Sequence, residues 1–220
     1  MISIYSISTL IFAYLMGSIP TAVWIGRGFY GIDVREYGSG NAGASNTFRI
    51  LGKKAGIPVM LIDIFKGWTG ANLVYLVGLS ITGTPNTIQF ANYQLALGIT
   101  TVLGHIFPIF AGFRGGKGIA TLFGMMLAVN PLAALYCVIA FIIVLLITKY
   151  VSLSSMVTGF IYPLLLIFVF REPIKSVLLF SISVCILVLI THQKNIERLV
   201  KGKESKANLF GKKKSTIQET

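Results

Sequence analysis

The sequence predicts an all-α polytopic membrane protein with seven transmembrane helices, one of them short, an N-terminus outside and a cytoplasmic C-terminus. Hydrophobic residues make up 55% of the 220 positions and charged residues 12%, about half the charged share of soluble domains. The mean hydropathy is +0.80, and no Asp, Glu, Lys or Arg occurs in residues 1–23 or 67–113. Such runs fit membrane helices of about 20 residues. They exclude a soluble, disordered or disulfide-based protein and the alternating strands of an outer-membrane barrel.

The first predicted span is Ile4–Ile25. No basic residue precedes Arg27, whereas a signal peptide needs a positive start and a shorter apolar core, so we interpret this segment as a retained helix. The second and third spans are predicted at Ala55–Leu79 and Asn92–Ala111.

The next apolar stretch, Ile119–Ile147, is too long for one span. At 1.5 Å per residue it would run roughly 44 Å, well beyond a hydrocarbon core about 30 Å thick. Asn130-Pro131 falls near its middle, and proline ends or kinks a helix. We therefore expect a short helix before Pro131 and a full span after it. The last two spans are Val151–Phe170 and Ser176–Thr191.

The positive charges indicate the orientation of the chain. With seven spans the outer side receives only Arg171 and Lys175, whereas the inner side receives the basic C-terminal tail and Arg27, Arg35, Arg49, Lys53, Lys54, Arg114, Lys117 and Lys149. Six spans would put the tail opposite the basic first loop, against the positive-inside bias. We divide the chain into one membrane domain, residues 1–200, and a basic cytoplasmic tail, residues 201–220. The tail is interpreted as disordered or headgroup-seeking, without the features of a nucleic-acid reader.

The first of three polar segments on the inner side is Gly38–Arg49, GSGNAGASNTFR. Glycines permit tight turns that expose backbone N–H groups to an anion. Ser39, Ser45 and Thr47 add hydroxyls, and Arg49 adds a planar fork that suits phosphate. The GxGxxG match lacks the preceding strand and the βαβ unit of a dinucleotide site. From spacing alone, an anion site and a plain glycine-rich connection are equal alternatives.

The second segment runs from Gly104 to Thr121, GHIFPIFAGFRGGKGIAT. It is not a Walker loop, because Gly118 follows Lys117 where Ser or Thr would be needed. Glycines and a cation at the start of a helix favour an anion site over a turn with ordinary inward charges. His105, near a helix end, is interpreted as a packed or capped histidine.

The third segment follows the last span and contains His192 and Asn195, which are three residues apart and share a helical face. A histidine there could act as a base or as a phosphate donor. Taken alone, the segment fits an amphipathic helix end with solvated charges better. Asp63 and Lys66, three residues apart within the second span, are predicted to form a structural ion pair because unpaired charges are costly in a membrane. The alternative is that Lys66 reaches the anion site.

Together and in this order, the segments resemble the three motifs of the bacterial membrane acyl-phosphate:glycerol-3-phosphate acyltransferases (PlsY-type). The matching stretches are GSGNAGASNTFR, GHIFPIFAGFRGGKGIAT and HQKNIERLVKGKE, and the likeness extends from the first span to about Glu204. It implies a seven-helix enzyme of the cell membrane with its active site at the cytoplasmic face.

The resemblance implies the transfer of a fatty acyl group from acyl phosphate to the 1-hydroxyl of glycerol 3-phosphate. The products would be lysophosphatidate and inorganic phosphate, in the first committed step of phospholipid synthesis. No cofactor and no metal is implied, and neither acyl-CoA nor acyl carrier protein is the direct donor. The implied partners are the two substrates and the lipid bilayer, not nucleic acid. A contact with the upstream enzyme that forms acyl phosphate is compatible with this reading.

Individual residues receive roles from the same resemblance. The positions that match the family's catalytic residues are Ser39, Arg49, Lys117, His192 and Asn195. Those implied to bind substrate phosphate or shape its pocket are Gly38, Gly40, Asn41, Gly43, Ser45, Asn46, Gly115, Gly116 and Gly118. Glu204 is implied to be structural, holding a basic partner. Whether His192 takes a proton or positions phosphate stays open, and we favour His192 as a hydrogen-bond donor that positions phosphate.

Two other protein classes compete with the enzyme interpretation. A small anion transporter would need cations at the bilayer midplane and often an internal repeat, whereas these charge clusters lie at one face and no convincing repeat is visible. A structural or lipid-scaffold protein could rely on the basic tail alone and would not need three segments rich in Gly, Asn and His.

Overall fold

The computed structural model describes residues 4–76 and 87–207. Within those ranges the regular elements are helical, as predicted, and no strand is present. The α-helices are α1 (Ile4–Gly17), α2 (Thr21–Tyr30), α3 (Ala44–Leu51), α4 (Lys53–Asn72), α5 (Ile88–Ile106), α6 (Ile119–Val129), α7 (Pro131–Thr148), α8 (Val151–Leu164), α9 (Lys175–Thr191) and α10 (Gln193–Val200). Two 3₁₀ turns, Val34–Glu36 and Ile109–Ala111, lie in the loops after α2 and α5, and α8 ends in a π-helical turn, Leu165–Val169.

The first predicted span, Ile4–Ile25, is an interrupted helix rather than the single helix predicted, and its crossing of the membrane stays a prediction. α1 and α2 are bent by 40° at a short break that contains Pro20. Proline has no N–H group and disfavours the helical conformation of the residue before it, so the helix stops there. The carbonyl oxygen of Ile19 accepts a hydrogen bond from Lys66 Nζ at 3.0 Å. A side chain of α4 thus binds a backbone group at the interrupted helix.

The division of the long apolar stretch at Asn130-Pro131 is confirmed. α6 ends before Asn130 and α7 begins at Pro131. Asn130 Oδ1 accepts a hydrogen bond from Ala133 N–H at 2.9 Å, and an Asn cap followed by Pro is a favourable helix start. With 11 residues, α6 is the short helix that the sequence predicts.

Three helical segments of the described residues are long and apolar enough to cross a membrane by themselves: Ile88–Ala111, Pro131–Thr148 and Val151–Val169. The number rises to five if each bent pair, α1 with α2 and α9 with α10, forms one span. α4 carries Asp63 and Lys66, and α6 is short, so neither enters that count. Seven spans therefore stay a prediction, and residues 77–79 of the predicted second span lie outside the described residues.

Glycines bring pairs of helices into backbone contact. A Cβ added at Gly67 of α4 would lie 2.0 Å from Thr121 O, and one at Gly124 of α6 would lie 1.9 Å from Ile64 O. α1 and α5 approach each other in the same way at Gly17. Small residues permit such close packing of membrane helices. These contacts fix the start of α6, and with it the end of the loop that precedes α6.

The largest apolar core lies between the helices from α5 to α9. Tyr162, Met125 and Leu166 are fully buried in it. Apolar side chains such as Ile147 and Leu179 instead point outward, 76% and 66% exposed, as expected of residues that face lipid. The bundle thereby holds the ends of α5, α6 and α9, from which two of the polar segments extend.

Candidate active site

The first polar segment folds around the buried side chain of Asn46. Asn46 Nδ2 donates hydrogen bonds to the carbonyl oxygens of Val34 (2.8 Å) and Tyr37 (3.1 Å), and Asn46 Oδ1 accepts one from Ser39 N–H (2.9 Å). Gly38 has a φ of +63°, and a Cβ there would lie 2.5 Å from Asn46 Oδ1. The amide of Asn46 is therefore engaged with the backbone of its own segment and holds that backbone in one shape.

The exposed groups of this segment are the side chains of Ser39, Ser45 and Arg49. Gly43 caps α3, and its carbonyl oxygen accepts a hydrogen bond from Thr47 Oγ1 at 3.1 Å. Because Thr47 is buried, Arg49 two residues later lies on the exposed side of α3. Between Ser39 and Gly43 lie the other predicted phosphate-binding residues, Gly40 and Asn41.

The second polar segment forms the loop between α5 and α6, which we call the lysine loop (residues 107–118). The N–H groups of Gly115 and Gly116 donate hydrogen bonds, each 3.2 Å long, to the carbonyl oxygens of the last two residues of α5. Gly118 ends the loop and caps α6 with a φ of +76°, a conformation that suits glycine. Lys117 is thus held between two glycines at the start of α6.

Arg35 ties the lysine loop to the loop that precedes the first segment. Its Nη1 donates hydrogen bonds to Ala111 O (2.8 Å) and Arg114 O (3.3 Å). Its Nη2 lies 2.7 Å from Asp33 Oδ2. Hydrogen bonds from Arg35, outweighing burial, lower the pKa of Asp33 to about 2. The ionised Asp33 keeps the guanidinium of Arg35 in place across the two loops.

A chain of hydrogen bonds joins the lysine loop to the third segment. Lys117 Nζ donates to Asn195 Oδ1, and Asn195 Nδ2 donates to Glu204 Oε1 at 2.6 Å. Arg198 Nε donates to Glu204 Oε2 at 2.8 Å, and Ser152 Oγ of α8 donates to Glu204 Oε1 at 2.7 Å. Glu204 therefore orients Asn195, and Asn195 in turn holds Lys117.

His192 occupies the 59° bend between α9 and α10 and is buried. Its Nδ1 lies 2.8 Å from the carbonyl oxygen of Val188. A carbonyl oxygen carries no proton, so Nδ1 must be the donor of this hydrogen bond. In neutral His192 the other ring nitrogen, Nε2, therefore carries the lone pair.

Comparison with known sequences identifies the family. The sequence profile described as Glycerol-3-phosphate acyltransferase matches residues 7–202. The chain belongs to this acyltransferase family. A glycerol-3-phosphate acyltransferase of Enterococcus faecalis is 42% identical over 218 residues, which cover 96% of this chain and 95% of the relative. One of Bacillus cereus is 42% identical over 207 residues, with 93% and 96% covered.

The acyltransferase also resembles two crystal structures of PlsY (YgiH), described as an integral membrane glycerol 3-phosphate acyltransferase. The glycerol 3-phosphate form has a TM-score of 0.80 and 35% identity, and the match covers 94% of this chain and 96% of that one. The lysophosphatidic acid form has a TM-score of 0.77 and 35% identity, with 92% and 95% covered. The chain is therefore an integral membrane enzyme of this family.

The electrostatics of the candidate site centre on Lys117. Burial and the positive charges of Arg198 and Arg49 lower the pKa of Lys117 to about 8, although Glu204 acts in the opposite direction. These charges act on Lys117 only because they lie near it. Arg198 and Arg49 thus belong to the same cationic cluster as Lys117.

The two acid–base groups of the third segment respond differently to burial. Burial, followed by the positive charge of Lys117, lowers the pKa of His192 to about 4, so the imidazole is neutral at pH 7. Burial alone would raise the pKa of Glu204. Hydrogen bonds from Ser152, Asn195 and Arg198 outweigh it and lower that pKa. Glu204 is therefore an anion among donors, whereas His192 is an uncharged ring beside a cation.

The charged residues of α4, Asp63 and Lys66, form the ion pair predicted from the sequence. Lys66 Nζ is 3.0 Å from Asp63 Oδ1, and both side chains are buried. Asp63 Oδ1 also accepts a hydrogen bond from Thr21 Oγ1 (3.1 Å) and lies 3.6 Å from His105 Nδ1. Lys66 directs its ammonium to Asp63 and to the helix break at Ile19.

The structure brings together several of the residues predicted from sequence, and it adds others. Lys117, Asn195 and Glu204 are joined by hydrogen bonds, and the carbonyl oxygen of His192 accepts one from Asn195 N–H. The first segment approaches the lysine loop where Ala42 O lies close to Gly116. Sequence reasoning missed the tie made by Arg35 and the contribution of Ser152. Arg198 could have been found, because it lies three residues after Asn195 on the same helical face. Nothing local to Ser152 or Arg35 indicates their distant partners.

Proposed function

We propose that this acyltransferase moves a fatty acyl group from acyl phosphate to the 1-hydroxyl of glycerol 3-phosphate, in phospholipid biosynthesis. The products are lysophosphatidate and inorganic phosphate. The observation that carries the proposal is the contact between Lys117 and Asn195, which joins two polar segments into one cationic site. The chain's two cysteines, Cys137 and Cys185, lie within α7 and α9, away from this cluster in the sequence. A direct transfer from an activated donor needs no thiol intermediate.

The cationic cluster suits a reaction in which two phosphate groups meet. Lys117, Arg49 and Arg198 supply positive charge, and the glycine-rich segments supply backbone N–H groups. Acyl phosphate is a mixed anhydride and is already activated, so holding the two substrates together can contribute much of the acceleration. Fixed cations in a partly buried site then stabilise the charge that develops on the departing phosphate.

The transfer step makes one bond and breaks one. The 1-hydroxyl oxygen of glycerol 3-phosphate attacks the acyl carbonyl carbon. The bond from that carbon to the phosphate oxygen breaks, and its electron pair stays on phosphate. The hydroxyl proton ends on the released phosphate, either directly or by way of His192. We assign Arg49 to the charge of the departing phosphate, and Lys117 chiefly to binding the phosphate of glycerol 3-phosphate.

His192 fits the role of hydrogen-bond acceptor better than the donor role that we favoured from sequence. With Nδ1 engaged on Val188 O and the pKa lowered to about 4 by burial and Lys117, Nε2 presents a lone pair. It can accept a hydrogen bond from the substrate hydroxyl. A bound phosphate dianion nearby would raise the pKa of His192, which makes the imidazole a stronger base when both substrates are present.

The same proposal includes the membrane topology. The seven spans are the α1–α2 pair, counted as one, and the six helices from α4 to α9, each counted as one. The N-terminus lies outside. Arg49, Lys117 and His192 then lie at the cytoplasmic face, where glycerol 3-phosphate is available. The excess of Lys and Arg in the loops of that side supports this orientation. The acyl chain would remain in contact with the bilayer during transfer.

The deciding assay supplies one acyl donor at a time to the purified protein. Palmitoyl phosphate or palmitoyl-CoA is mixed with labelled glycerol 3-phosphate in lipid or detergent, with EDTA present. We expect labelled lysophosphatidate and an equal amount of phosphate from palmitoyl phosphate alone. Formation of lysophosphatidate from the CoA thioester but not from acyl phosphate would overturn the donor and the proposed step. Heat-inactivated protein controls for spontaneous acyl transfer.

A further inference from the structure

A buried polar cluster lies beneath the lysine loop and has no part in the reaction as described so far. It consists of Thr21, Asp63, Lys66 and His105, which belong to α2, α4 and α5 and are all less than one-tenth exposed. Asp63 is its centre, because Oδ1 contacts Thr21 Oγ1, Lys66 Nζ and His105 Nδ1 at 3.1, 3.0 and 3.6 Å. In a membrane protein, buried ionisable groups of this kind are costly unless they pair or serve the site.

The ring of His105 extends from this cluster to the underside of the lysine loop. A Cβ added at Gly116 would lie 2.2 Å from His105 Nε2 and 3.1 Å from Ala42 O. The same histidine also holds the loop through its backbone, since Gly116 N–H donates to His105 O at 3.2 Å. Gly116 therefore rests on the imidazole, at a point where the first segment also approaches. Lys117 is the next residue of the chain.

The imidazole cannot easily move away from Gly116. Its Nδ1 side faces Asp63, and Asp63 is itself held by Lys66 and Thr21. Lys66 in turn donates to the break between α1 and α2. The ring of His105 therefore links the position of the loop to three helices of the bundle.

We propose that Asp63 and His105 are positioning residues for the lysine loop: by supporting Gly116 they set the place of Lys117 and the affinity for the phosphate of glycerol 3-phosphate. This inference rests on the proposed function, in which Lys117 binds that phosphate. His105 acts through Gly116 and touches no reacting atom. An error of about 1 Å in the position of a binding group is enough to weaken substrate binding strongly.

A double-substitution experiment tests the contact itself. Gly116→Ala introduces the methyl group that collides with Nε2, and φ of Gly116 is not in the left-handed region, so alanine needs only space. His105→Asn shortens the side chain but keeps an amide N–H near the place of Nδ1 for Asp63. We expect KM for glycerol 3-phosphate to rise about tenfold or more in Gly116→Ala and several-fold in His105→Asn. The KM for acyl phosphate and kcat should change about twofold or less.

The combined variant decides between positioning and general damage. If the ring supports Gly116, the shorter Asn makes room for the methyl group, and the double variant has a lower KM than Gly116→Ala alone. If the two single substitutions raise KM independently, so that their fold-changes multiply in the double variant, the inference is overturned. Equal changes in kcat and in both KM values would overturn it too. Should Gly116→Ala fail to fold, Asp63→Asn and His105→Asn are compared by direct binding of glycerol 3-phosphate. Unchanged affinity in both would overturn it as well.

A matched control uses another buried polar side chain of α5. Gln94 Nε2 donates to Ala128 O at 3.2 Å, several turns away from the lysine loop. Gln94→Leu should keep the KM for glycerol 3-phosphate within about twofold, whatever it does to stability. The wild-type protein separates the two proposals: no turnover of acyl phosphate contradicts the proposed function, whereas the binding comparison of the variants still tests the role of His105.

Discussion

The protonation of Lys117 depends on opposing effects of its surroundings. Burial and the charges of Arg198 and Arg49 favour the neutral amine, whereas Glu204 and the hydrogen bond to Asn195 favour the ammonium. The pKa of about 8 that results lies close to the pH of a cell. A cation in this state loses part of its charge at mildly alkaline pH, and it regains that charge when a phosphate approaches.

The first prediction concerns the pH dependence of substrate binding. Below about pH 8 Lys117 is protonated and attracts phosphate; above it the free enzyme loses that charge, so KM for glycerol 3-phosphate should rise between about pH 8 and 9.5. Initial rates at a series of pH values measure this rise. Lys117→Ala should have a KM raised about tenfold or more at pH 7 and no further rise at alkaline pH. A wild-type KM that is constant from pH 7 to 9.5 would contradict the role of Lys117.

Asn46 shows what residue type and spacing can and cannot reveal. Its position in a Gly- and Ser-rich segment suggests a phosphate ligand. Its side chain instead forms hydrogen bonds with backbone groups of three nearby residues, Val34, Tyr37 and Ser39. A short amide can serve either a ligand or a turn. Burial distinguishes the two, and Asn46 is 2% exposed, which residue type and spacing do not reveal. We therefore assign Asn46 to the support of Ser39 rather than to direct phosphate binding.

At the scale of elements, Glu204 fastens α10 and the following residues to α8. Its carboxylate is 4% exposed and accepts hydrogen bonds from Ser152, Asn195 and Arg198. Beyond it, Ala207 N–H donates to Lys149 O at 2.7 Å. α10 has few buried side chains of its own. Its placement therefore depends on this carboxylate more than on apolar packing.

The second prediction compares two glutamates of the same region. Glu204→Gln keeps the shape but removes the charge, and each charge-assisted hydrogen bond is worth about 1.5–3 kcal/mol. We expect a melting temperature lower by several degrees and a loss of activity of at least about tenfold, because Asn195 and Lys117 lose their support. Glu197 pairs with Lys201 on the exposed side of α10, and such pairs contribute little. Glu197→Gln should therefore match the wild type; equal effects of the two substitutions would refute the role of Glu204.

The helix boundaries show where local patterns suffice. Asn130-Pro131 could be located from sequence because a cap and a proline at the first helical position act locally. The break at Pro20 was missed because residues 1–23 carry no charge and were taken together as one span, although Gly17, Ser18 and Pro20 give a local signal like that of Asn130-Pro131. It is stabilised by Lys66, far along the chain. No window of neighbouring residues contains that contact.

At the scale of the whole molecule, composition alone is enough for the fold class. Long uncharged runs predict membrane helices, and the described residues are helical accordingly. The joining of distant segments into one site follows instead from helix packing, for example the backbone contact of Gly67 with Thr121. Sequence spacing could suggest three anion-binding segments, but not that Asn195 would contact Lys117.

The third prediction tests the topology. Single cysteines at the exposed positions Lys54 and Gln193 should be protected from an impermeant thiol reagent in intact cells, and one at the exposed Pro173 should react. Permeabilised cells provide the control, since Lys54→Cys and Gln193→Cys should then react too. The parent protein, whose cysteines lie within α7 and α9, sets the background. Reaction of Gln193→Cys from outside would exclude the seven-span arrangement.

The contact between Lys66 and Ile19 also bears on the order in which the protein is made. A ribosome releases α1 and α2 first, so the interrupted helix and Thr21 are already in the bilayer when α4 emerges. α4 carries two charges within its apolar part, Asp63 and Lys66, and would partition poorly into lipid alone. Ile19 and Thr21, which bind the two charged side chains, are synthesised before α4, whereas His105 is synthesised later. The helix break thus supplies polar groups that can bind the charged residues of α4 as it inserts into the membrane.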